Sequence, residues 1–331
     1  MSIVAKILRR TDQFVRRNIV MEQYPMLTCV SRKEQQRRDA VGVVFMLHHI
    51  EDKDPARIPT NEDLKVSPAF LEKIILKYKH RGFDFISLDD LYAILTSGKN
   101  PTNPFVAFTI DDGYLDNYTN ALPVFEKHHV PFAVFVATDF IDNKAILWWD
   151  SVEALIMSND EILTSDGQSY PCRTFQQRWD TFRYLRERIL KLDQTQLVAE
   201  LDNMFAGYHV DWYEPVRMKS MTWEQVKYLA GHPLCTIGGH TVSHPALSKL
   251  SADEAFSEIK EGKDRIEEMT GQTVRYFAYP YGTPNEVGQR ESGLVEDLKF
   301  RLAFSAYGGC VTKASPATYL PRVYLLESNR K

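Results

Sequence analysis

The chain of 331 residues has little cysteine, no long apolar run and almost no net charge. The four cysteines, Cys29, Cys172, Cys235 and Cys310, stand far apart and form neither a CxxC metal motif nor a dense disulfide framework. We therefore expect free thiols in a reducing compartment. No uninterrupted apolar run approaches the roughly 20 residues that span a bilayer, and the amino terminus lacks the apolar segment of a signal peptide. These absences favour a cytoplasmic protein.

The formal net charge of -4 gives no electrostatic reason to expect a nucleic acid as partner. A small neutral substrate is more compatible with this nearly balanced charge. The first forty residues are the exception, because they hold nine basic and only four acidic side chains. Apolar residues recur there at helical spacing, so residues 1–40 could form a basic amphipathic helix that weakly contacts the inner face of a membrane. A terminal helix packed on the domain is the other interpretation, and the short, broken apolar stripe favours it.

From Val41 onward, short apolar segments alternate with helical patterns, which is typical of a βα-repeating α/β fold. We predict eight strands, at 42–47, 83–87, 105–110, 132–137, 235–238, 276–279, 302–305 and 323–326. Helices are predicted between them, among others over 68–81, 118–129 and 252–270, the last with Ser251 as its cap. Residues 41–331 thus form one barrel-like domain. The interval of about 139–219 breaks the rhythm, and we interpret it as a helical insertion in one βα unit.

The first chemical motif is FTIDDG over 108–113, where an apolar strand ends in Asp111 and Asp112. Successive side chains of a strand point to opposite sides, so one carboxylate could bind a metal while the other stays free as a base. A hairpin turn is the alternative, because Asp-Gly is a strong hairpin signal. The helical pattern that follows makes the hairpin less favourable.

The second motif is GGHTVSHP over 238–245, again after a strand-like segment. Histidines four residues apart lie above one another on a helical turn, so His240 and His244 could offer two imidazoles to one ion. Two ordinary surface or capping histidines are the alternative. Together with Asp112, the pair makes a two-histidine, one-carboxylate set that leaves positions open for water and substrate.

A third motif, FAYPYG over 277–282, ends another strand in a rigid turn that could form the wall of a groove. An ordinary aromatic junction between strand and loop is the alternative. Together the three motifs resemble the polysaccharide deacetylase family, the fourth carbohydrate esterase family, whose domain is also called the nodulation-factor deacetylase homology domain. Thr109–Gly113 matches the TFDDG-type motif with isoleucine for phenylalanine, and His240–Pro245 matches H-[ST]-x-x-H-P completely. The FAYPYG sequence is typical of one subgroup.

The resemblance covers about 41–326 and implies a deformed (β/α) barrel of seven or so strands. It also implies that Asp111 is the general base and that Asp112, His240 and His244 bind one divalent metal ion, usually zinc. The predicted function is therefore metal-dependent removal of N-acetyl groups from an amino sugar of a polysaccharide, oligosaccharide or lipid-linked glycan. A deformylase or other amide hydrolase of the same superfamily, and an inactive glycan-binding module, remain alternatives.

The chain departs from the family pattern twice. Many members have an arginine at the place of Ala278 that pairs with the base, and many have a late histidine as general acid. We expect Arg322 to orient the base through a bidentate contact, unless it is an exposed arginine at a strand edge. The subgroup resemblance implies that a first-strand histidine replaces the late one, which selects His48, with an ordinary core or surface histidine as the alternative.

Three further residues are predicted to contact the substrate. Pro280 and Tyr281 belong to the third motif, and Trp149 offers an aromatic face of the kind that stacks on sugars. Packing inside the insertion is an equal interpretation for Trp149.

Overall fold

The computed structural model describes residues 40–98, 100–193 and 196–327. The predicted basic extension, 1–40, lies outside these residues except for Ala40, so both interpretations of it stay predictions. The described chain divides into two compact units. Unit 1 holds the described residues of 1–52, 65–142 and 221–331, and unit 2 holds 53–64 and 143–220.

Unit 1 is built on a nine-stranded, mostly parallel sheet. Numbered along the whole described chain, the strands are β1 (Ala40–Leu47), β2 (His49–Ile50), β3 (Lys65–Val66), β4 (Asp84–Phe85), β5 (Phe105–Asp112), β6 (Phe132–Val136), β7 (Glu161–Leu163), β8 (Ser169–Pro171), β9 (Cys235–Gly239), β10 (Tyr276–Ala278), β11 (Leu302–Phe304), β12 (Val311–Thr312) and β13 (Val323–Tyr324). Seven of them follow one another in the order β11-β10-β9-β6-β5-β1-β12, while β13 pairs with β1 and β4 with β5. The predicted α/β fold with a deformed barrel sheet is confirmed.

The register of the central strands brings three motifs to one edge of the sheet. Asp112 on β5 is level with Val136 on β6, Val136 is level with Gly239 on β9, and Gly239 is level with Phe277 on β10. Since these strands are parallel, the residues at their carboxyl ends meet at the same edge. Every residue of β5 is buried, which explains its continuous apolar sequence before the two aspartates.

Helices flank these strands in chain order. They are α1 (Pro59–Glu62), α2 (Pro68–His80), α3 (Leu88–Ser97), α4 (Leu122–His128), α5 (Thr138–Ile141), α6 (Trp148–Ser158), α7 (Phe175–Ile189), α8 (Leu197–Met204), α9 (Glu214–Lys219), α10 (Trp223–Ala230), α11 (Ala252–Thr270) and α12 (Gln289–Asp297). Helix α11 has the predicted bounds and capping box: Ser251 Oγ accepts the amide of Glu254 at 3.3 Å, and Glu254 Oε2 accepts the amide of Ser251 at 2.8 Å. The pattern at 118–129 proves to be a π-helical turn, Asn117–Ala121, that continues into α4.

Unit 2 has its own apolar core, in which Trp148, Ile162, Phe182 and Phe205 are buried. The sequence pattern placed 53–64 in the barrel, whereas the structure groups this segment with 143–220. The reason is Glu153, a fully buried carboxylate that accepts hydrogen bonds from Arg57, Asn61 and the amide of Ile58. The antiparallel pair β7 and β8 escaped the sequence analysis because its strands have only three residues each. Within the described ranges, no helix is long and apolar enough to cross a membrane.

Candidate active site

Asp112 ends β5 in the left-handed region, with φ of 79°, and its side chain is buried against two histidines. Its Oδ1 atom lies 3.4 Å from His240 Nε2 and 3.5 Å from His244 Nε2. The potential ligand atoms of the three residues all lie within 4.8 Å of one another. Among the described residues, Oδ1 has no hydrogen-bond partner although it is buried, which is costly for a carboxylate oxygen.

The two histidines lie on a loop, and not on a helical turn as their spacing suggested. His240 directly follows β9, and the ligand loop, residues 240–244, then passes through left-handed backbone at Thr241 (φ 69°) and His244 (φ 61°). The Thr241 hydroxyl donates to the His240 carbonyl at 2.5 Å and accepts the His244 amide at 3.0 Å. These bonds close a tight turn that brings the two rings to 4.8 Å between centroids.

Hydrogen bonding and burial prepare both imidazoles to bind a cation. His240 Nδ1 lies 2.7 Å from the carbonyl oxygen of Ala278, which can only accept, so Nδ1 carries the proton and Nε2 presents its lone pair to Asp112. Burial lowers the pKa of His244 to about 4, which keeps this imidazole neutral at pH 7. Burial alone would raise the pKa of Asp112, but the neighbouring imidazoles of His240 and His244 lower it.

These three residues fit a divalent metal ion. Two imidazole nitrogens and one ionised carboxylate oxygen converge, and the oxygen is the buried atom that has no hydrogen-bond partner among the described residues. Two histidines with one carboxylate is a common ligand set for zinc and for other transition metals, and it leaves further coordination positions open.

Asp111, the other aspartate of the motif, faces Arg322 and not the histidines. Arg322 donates from Nη1 to Oδ1 at 2.7 Å and from Nη2 to Oδ2 at 2.8 Å. The guanidinium is fully buried and also donates to the Ser305 carbonyl at 2.8 Å and to Thr109 Oγ1 at 3.1 Å. Burial by itself would raise the pKa of Asp111, but Arg322, followed by His240, lowers it, so this carboxylate is ionised at neutral pH.

His48 and its neighbour His49 have different surroundings. The His48 ring stacks on Tyr324 at 6.0 Å between centroids. Burial lowers its pKa, while the charges of Asp112 and Asp111 oppose that shift, so His48 shares the electrostatic environment of the two aspartates. His49 turns away, since its Nδ1 bonds to Asp116 Oδ2 at 2.7 Å.

Sequence reasoning missed the polar side chains that fix the His48 backbone. Asn117 Nδ2 donates to the His48 carbonyl at 2.9 Å and to Asp116 Oδ1 at 2.8 Å. Asp116 Oδ1 also accepts the Ile50 amide at 2.9 Å. The Asp-Asn pair just after the Asp-Gly of the first motif was the available signal. His49, Glu51 and Asp116 also lie close enough to hold an ion, but the contacts above engage both oxygens of Asp116, and Lys65 pairs with Glu51 at 3.4 Å.

The third motif brings an aromatic side chain to the metal ligands. Tyr281 adopts φ of 59°, remains 54% exposed, and its ring lies edge-on to His244 at 5.0 Å between centroids. Pro280 is buried, and its carbonyl accepts the amide of Gly282 at 2.6 Å. A Cβ atom at Gly282 would lie 2.5 Å from the Ala306 amide nitrogen, so the turn requires glycine. Exposed Tyr281 is therefore the member of this turn best placed to contact a substrate.

Trp149 belongs to unit 2. Its partly buried ring packs on the core of that unit, edge-on to Trp148 at 5.7 Å between centroids. Its carbonyl accepts Asn61 Nδ2 at 3.3 Å. Packing is thus established for Trp149, and its contact with a substrate stays a prediction.

Comparison with known proteins places this site in a family. The polysaccharide deacetylase family model matches residues 98–291, a range that includes Asp111, Asp112, His240 and His244 but neither His48 nor Arg322. YxkH of Bacillus subtilis (strain 168), which is described as a polysaccharide deacetylase, is 21% identical over 244 residues. That alignment covers 73% of this chain and only 57% of YxkH.

Solved structures share the fold. The deacetylase PplD of Streptococcus pyogenes, solved in complex with acetate, superposes with a TM-score of 0.58 at 19% identity, covering 87% of this chain and 93% of PplD. IcaB from Ammonifex degensii superposes with a TM-score of 0.56 at 18% identity, covering 88% of this chain and 93% of IcaB. The predicted family is confirmed, while membership of the FAYPYG subgroup stays a prediction. The chain belongs to the polysaccharide deacetylase family.

Proposed function

We propose that this protein removes N-acetyl groups from an amino sugar of a glycan in a metal-dependent hydrolysis. One observation carries the proposal: the buried Oδ1 of Asp112, which has no hydrogen-bond partner in the described part of the chain, faces the Nε2 atoms of His240 and His244, beside an ionised Asp111. Asp112 and the two histidines would hold one divalent ion, with zinc as the expected metal. That ion would supply Lewis-acid polarisation of the amide carbonyl and lower the pKa of the attacking water from about 15.7 towards about 7.

Asp111 is the proposed general base. Each carboxylate oxygen has two acceptor positions, so the bidentate contact with Arg322 leaves room to accept the proton of a water molecule. Arg322 holds the carboxylate in one orientation and keeps it ionised. Its lowered pKa makes Asp111 a weak base, which is sufficient only for a water molecule that is itself activated.

His48 is the proposed general acid. Burial favours the neutral imidazole in the resting protein, so His48 would first receive the proton that Asp111 removes from water and would then transfer it to the departing amine. Tyr281, next to His244, and Pro280 are the proposed substrate contacts of unit 1. Trp149 of unit 2 stays a separate predicted contact with a sugar. The products are acetate and a free amino sugar.

Metal analysis and product analysis together test the proposal. Purified protein should contain about one transition metal ion per chain, and His240→Ala should lose it. The protein should release acetate from at least one member of a panel of acetylated amino-sugar polymers, oligosaccharides and lipid-linked sugars. A metal-free protein with full activity would refute the proposal. Formate release in place of acetate would identify a deformylase, and glycan binding without any acyl release would identify a binding module.

Two aspartate variants test the division of roles. Asp111→Asn should abolish turnover and retain the metal, whereas Asp112→Asn should weaken metal binding. Thermal unfolding has to accompany both measurements, because Asp111→Asn also removes the partner of a buried guanidinium. If Asp111→Asn loses the metal and Asp112→Asn retains it, the two roles have to be exchanged. A cytoplasmic location and weak membrane contact of residues 1–40 remain predictions, which cell fractionation and liposome co-sedimentation with and without that segment would test.

A further inference from the structure

The ligand loop has a backbone conformation that its own sequence does not favour. Thr241 and His244 both adopt positive φ, at 69° and 61°, and this region is rare for residues with a Cβ atom, above all for a β-branched one such as threonine. Residues remain in such conformations only where the surrounding structure enforces them. The contacts around the loop therefore decide where the second histidine points.

Glu258, on helix α11, makes three of these contacts. Its Oε2 atom accepts the backbone amides of Val242 at 3.0 Å and Ser243 at 2.9 Å, and its Oε1 atom accepts the Ser243 hydroxyl at 2.7 Å. An ionised carboxylate is a pure acceptor, so it can satisfy three converging donors at once, and such charge-assisted bonds are stronger than neutral ones. No neutral side chain of similar length accepts from all three donors.

The same helix touches the loop one turn later. A Cβ atom at Gly262 would lie 2.8 Å from both the carbonyl carbon and the carbonyl oxygen of Thr241, so only glycine permits this approach. From the amino-terminal end of α5, the amide of Thr138 donates to the Thr241 carbonyl at 3.3 Å, and the amide of Asp139 donates to the Val242 carbonyl at 2.9 Å. The loop is thus held between α5 and α11, and Glu258 is the side chain through which α11 forms hydrogen bonds with it.

We propose that Glu258 is a positioning residue that sets the affinity of the site for its metal ion. By fixing the amides of residues 242 and 243, it keeps His244 Nε2 at 3.5 Å from Asp112 Oδ1 before any ion binds. Without this carboxylate the loop relaxes, and the ligands must be ordered again when the ion enters. The inference rests on the proposed function, because it requires that Asp112, His240 and His244 bind a metal. Glu258 itself touches no reacting atom.

The test compares Glu258→Gln with Glu261→Gln. Glutamine keeps the shape of the side chain but removes its charge: its one oxygen can still accept the two amides, while its NH2 group can only donate to the Ser243 hydroxyl, so the charge-assisted character of all three bonds is lost. Glu261 is an exposed glutamate on the same helix, so its substitution removes the same charge without touching the loop. Metal-free, full-length protein is titrated with Co²⁺, and binding is measured from the visible absorption of the bound ion. Zn²⁺ is then added in competition. We expect Kd to rise about 10–100-fold in Glu258→Gln, and to stay unchanged in Glu261→Gln.

Ser243→Ala provides an independent measurement, since it removes only one of the three bonds and should give a smaller rise in Kd. Thermal unfolding in excess chelator shows whether each variant is folded. If Glu258→Gln binds metal with the Kd of the wild type, or if Kd rises equally in Glu261→Gln, the inference about Glu258 is overturned. The proposed metal site would not be affected by either result. If Glu258→Gln fails to fold, unchanged Kd in Ser243→Ala overturns it. A wild-type protein that binds neither ion overturns the proposed function, and this inference with it.

Discussion

Replacing Arg322 with methionine would isolate the energetic role of the buried pair between Arg322 and Asp111. The guanidinium has no exposed surface, and Asp111 is only 2% exposed. Methionine has a similar length and apolar body, so packing is largely conserved. The main change is the loss of four hydrogen bonds and of one positive charge. Asp111 is then left as a buried carboxylate without a cation.

The expected loss follows from that uncompensated charge. Breaking a buried pair by removing one partner costs about 3–5 kcal/mol. Asp111→Asn breaks the same pair from the other side and should cost a similar amount. The double variant removes both charges, so we expect it to be at least as stable as either single variant. The two losses are therefore strongly non-additive, as is usual for residues in direct contact.

Chemical denaturation of the four proteins at pH 7 and constant salt measures this coupling. Circular dichroism is the appropriate signal, because four of the five tryptophans lie in unit 2 while the pair lies in unit 1. The same samples are assayed for bound metal, which Arg322→Met should retain, since Arg322 does not contact Asp112. Strictly additive losses, or near wild-type stability of Arg322→Met, would refute the assigned role of the pair.

Three further outcomes are expected. His48→Gln should lower kcat by about 10²–10⁴-fold, as for a lost general acid, with unchanged metal content; loss of metal would contradict that role. Gly262→Ala should displace Thr241 and raise the Kd for Co²⁺, whereas Gly293→Ala, in open space on α12, should leave it unchanged; equal Kd values would contradict the close-approach argument. Glu291→Gln should lower the unfolding free energy at pH 7 by about 1 kcal/mol, because the uncharged glutamine weakens the bond from the Gly288 amide and loses the ion pair with Arg290. Burial alone would raise the pKa of Glu291, but the bond from the Gly288 amide outweighs it and lowers this pKa below its ordinary value of 4.5. The contribution of the ionised Glu291 carboxylate to stability is therefore fully present above pH 4.5 and disappears as the pH falls through the lowered pKa. Denaturation at pH 7 and pH 3 checks this, and a pH-independent difference would contradict it.

The local sequence was sufficient to predict the strands and the composition of the metal set. All eight predicted strands are present, because buried parallel strands have a continuous apolar pattern that needs no knowledge of partners. Parallel strands also align their carboxyl ends, so motifs that follow β5, β9 and β10 had to meet at one edge. The short strands β2, β3, β7, β8 and β12 were missed, because two or three residues carry no periodic signal.

The conformation of the ligand loop was not predictable from spacing. Histidines four residues apart suggested a helical turn, but the positive φ of Thr241 shows a different geometry that brings the same rings together. Local propensity argues against this conformation, and contacts from α5 and α11 impose it. Glu258 follows His244 by fourteen positions on an amphipathic helix, where nothing in the sequence distinguishes it from its acidic neighbours.

The sequence by itself therefore determined which residue types gather at the site, since motif order and strand pattern are local properties. Tertiary structure alone decided how they pair. Arg322 reaches Asp111 across 211 positions because β13 lies beside β1, and β1 lies beside β5. His48 and not His49 shares the environment of the aspartates, because Asp116 binds His49 and turns it away. Both outcomes depend on sheet register and side-chain packing between distant segments, which no local pattern encodes.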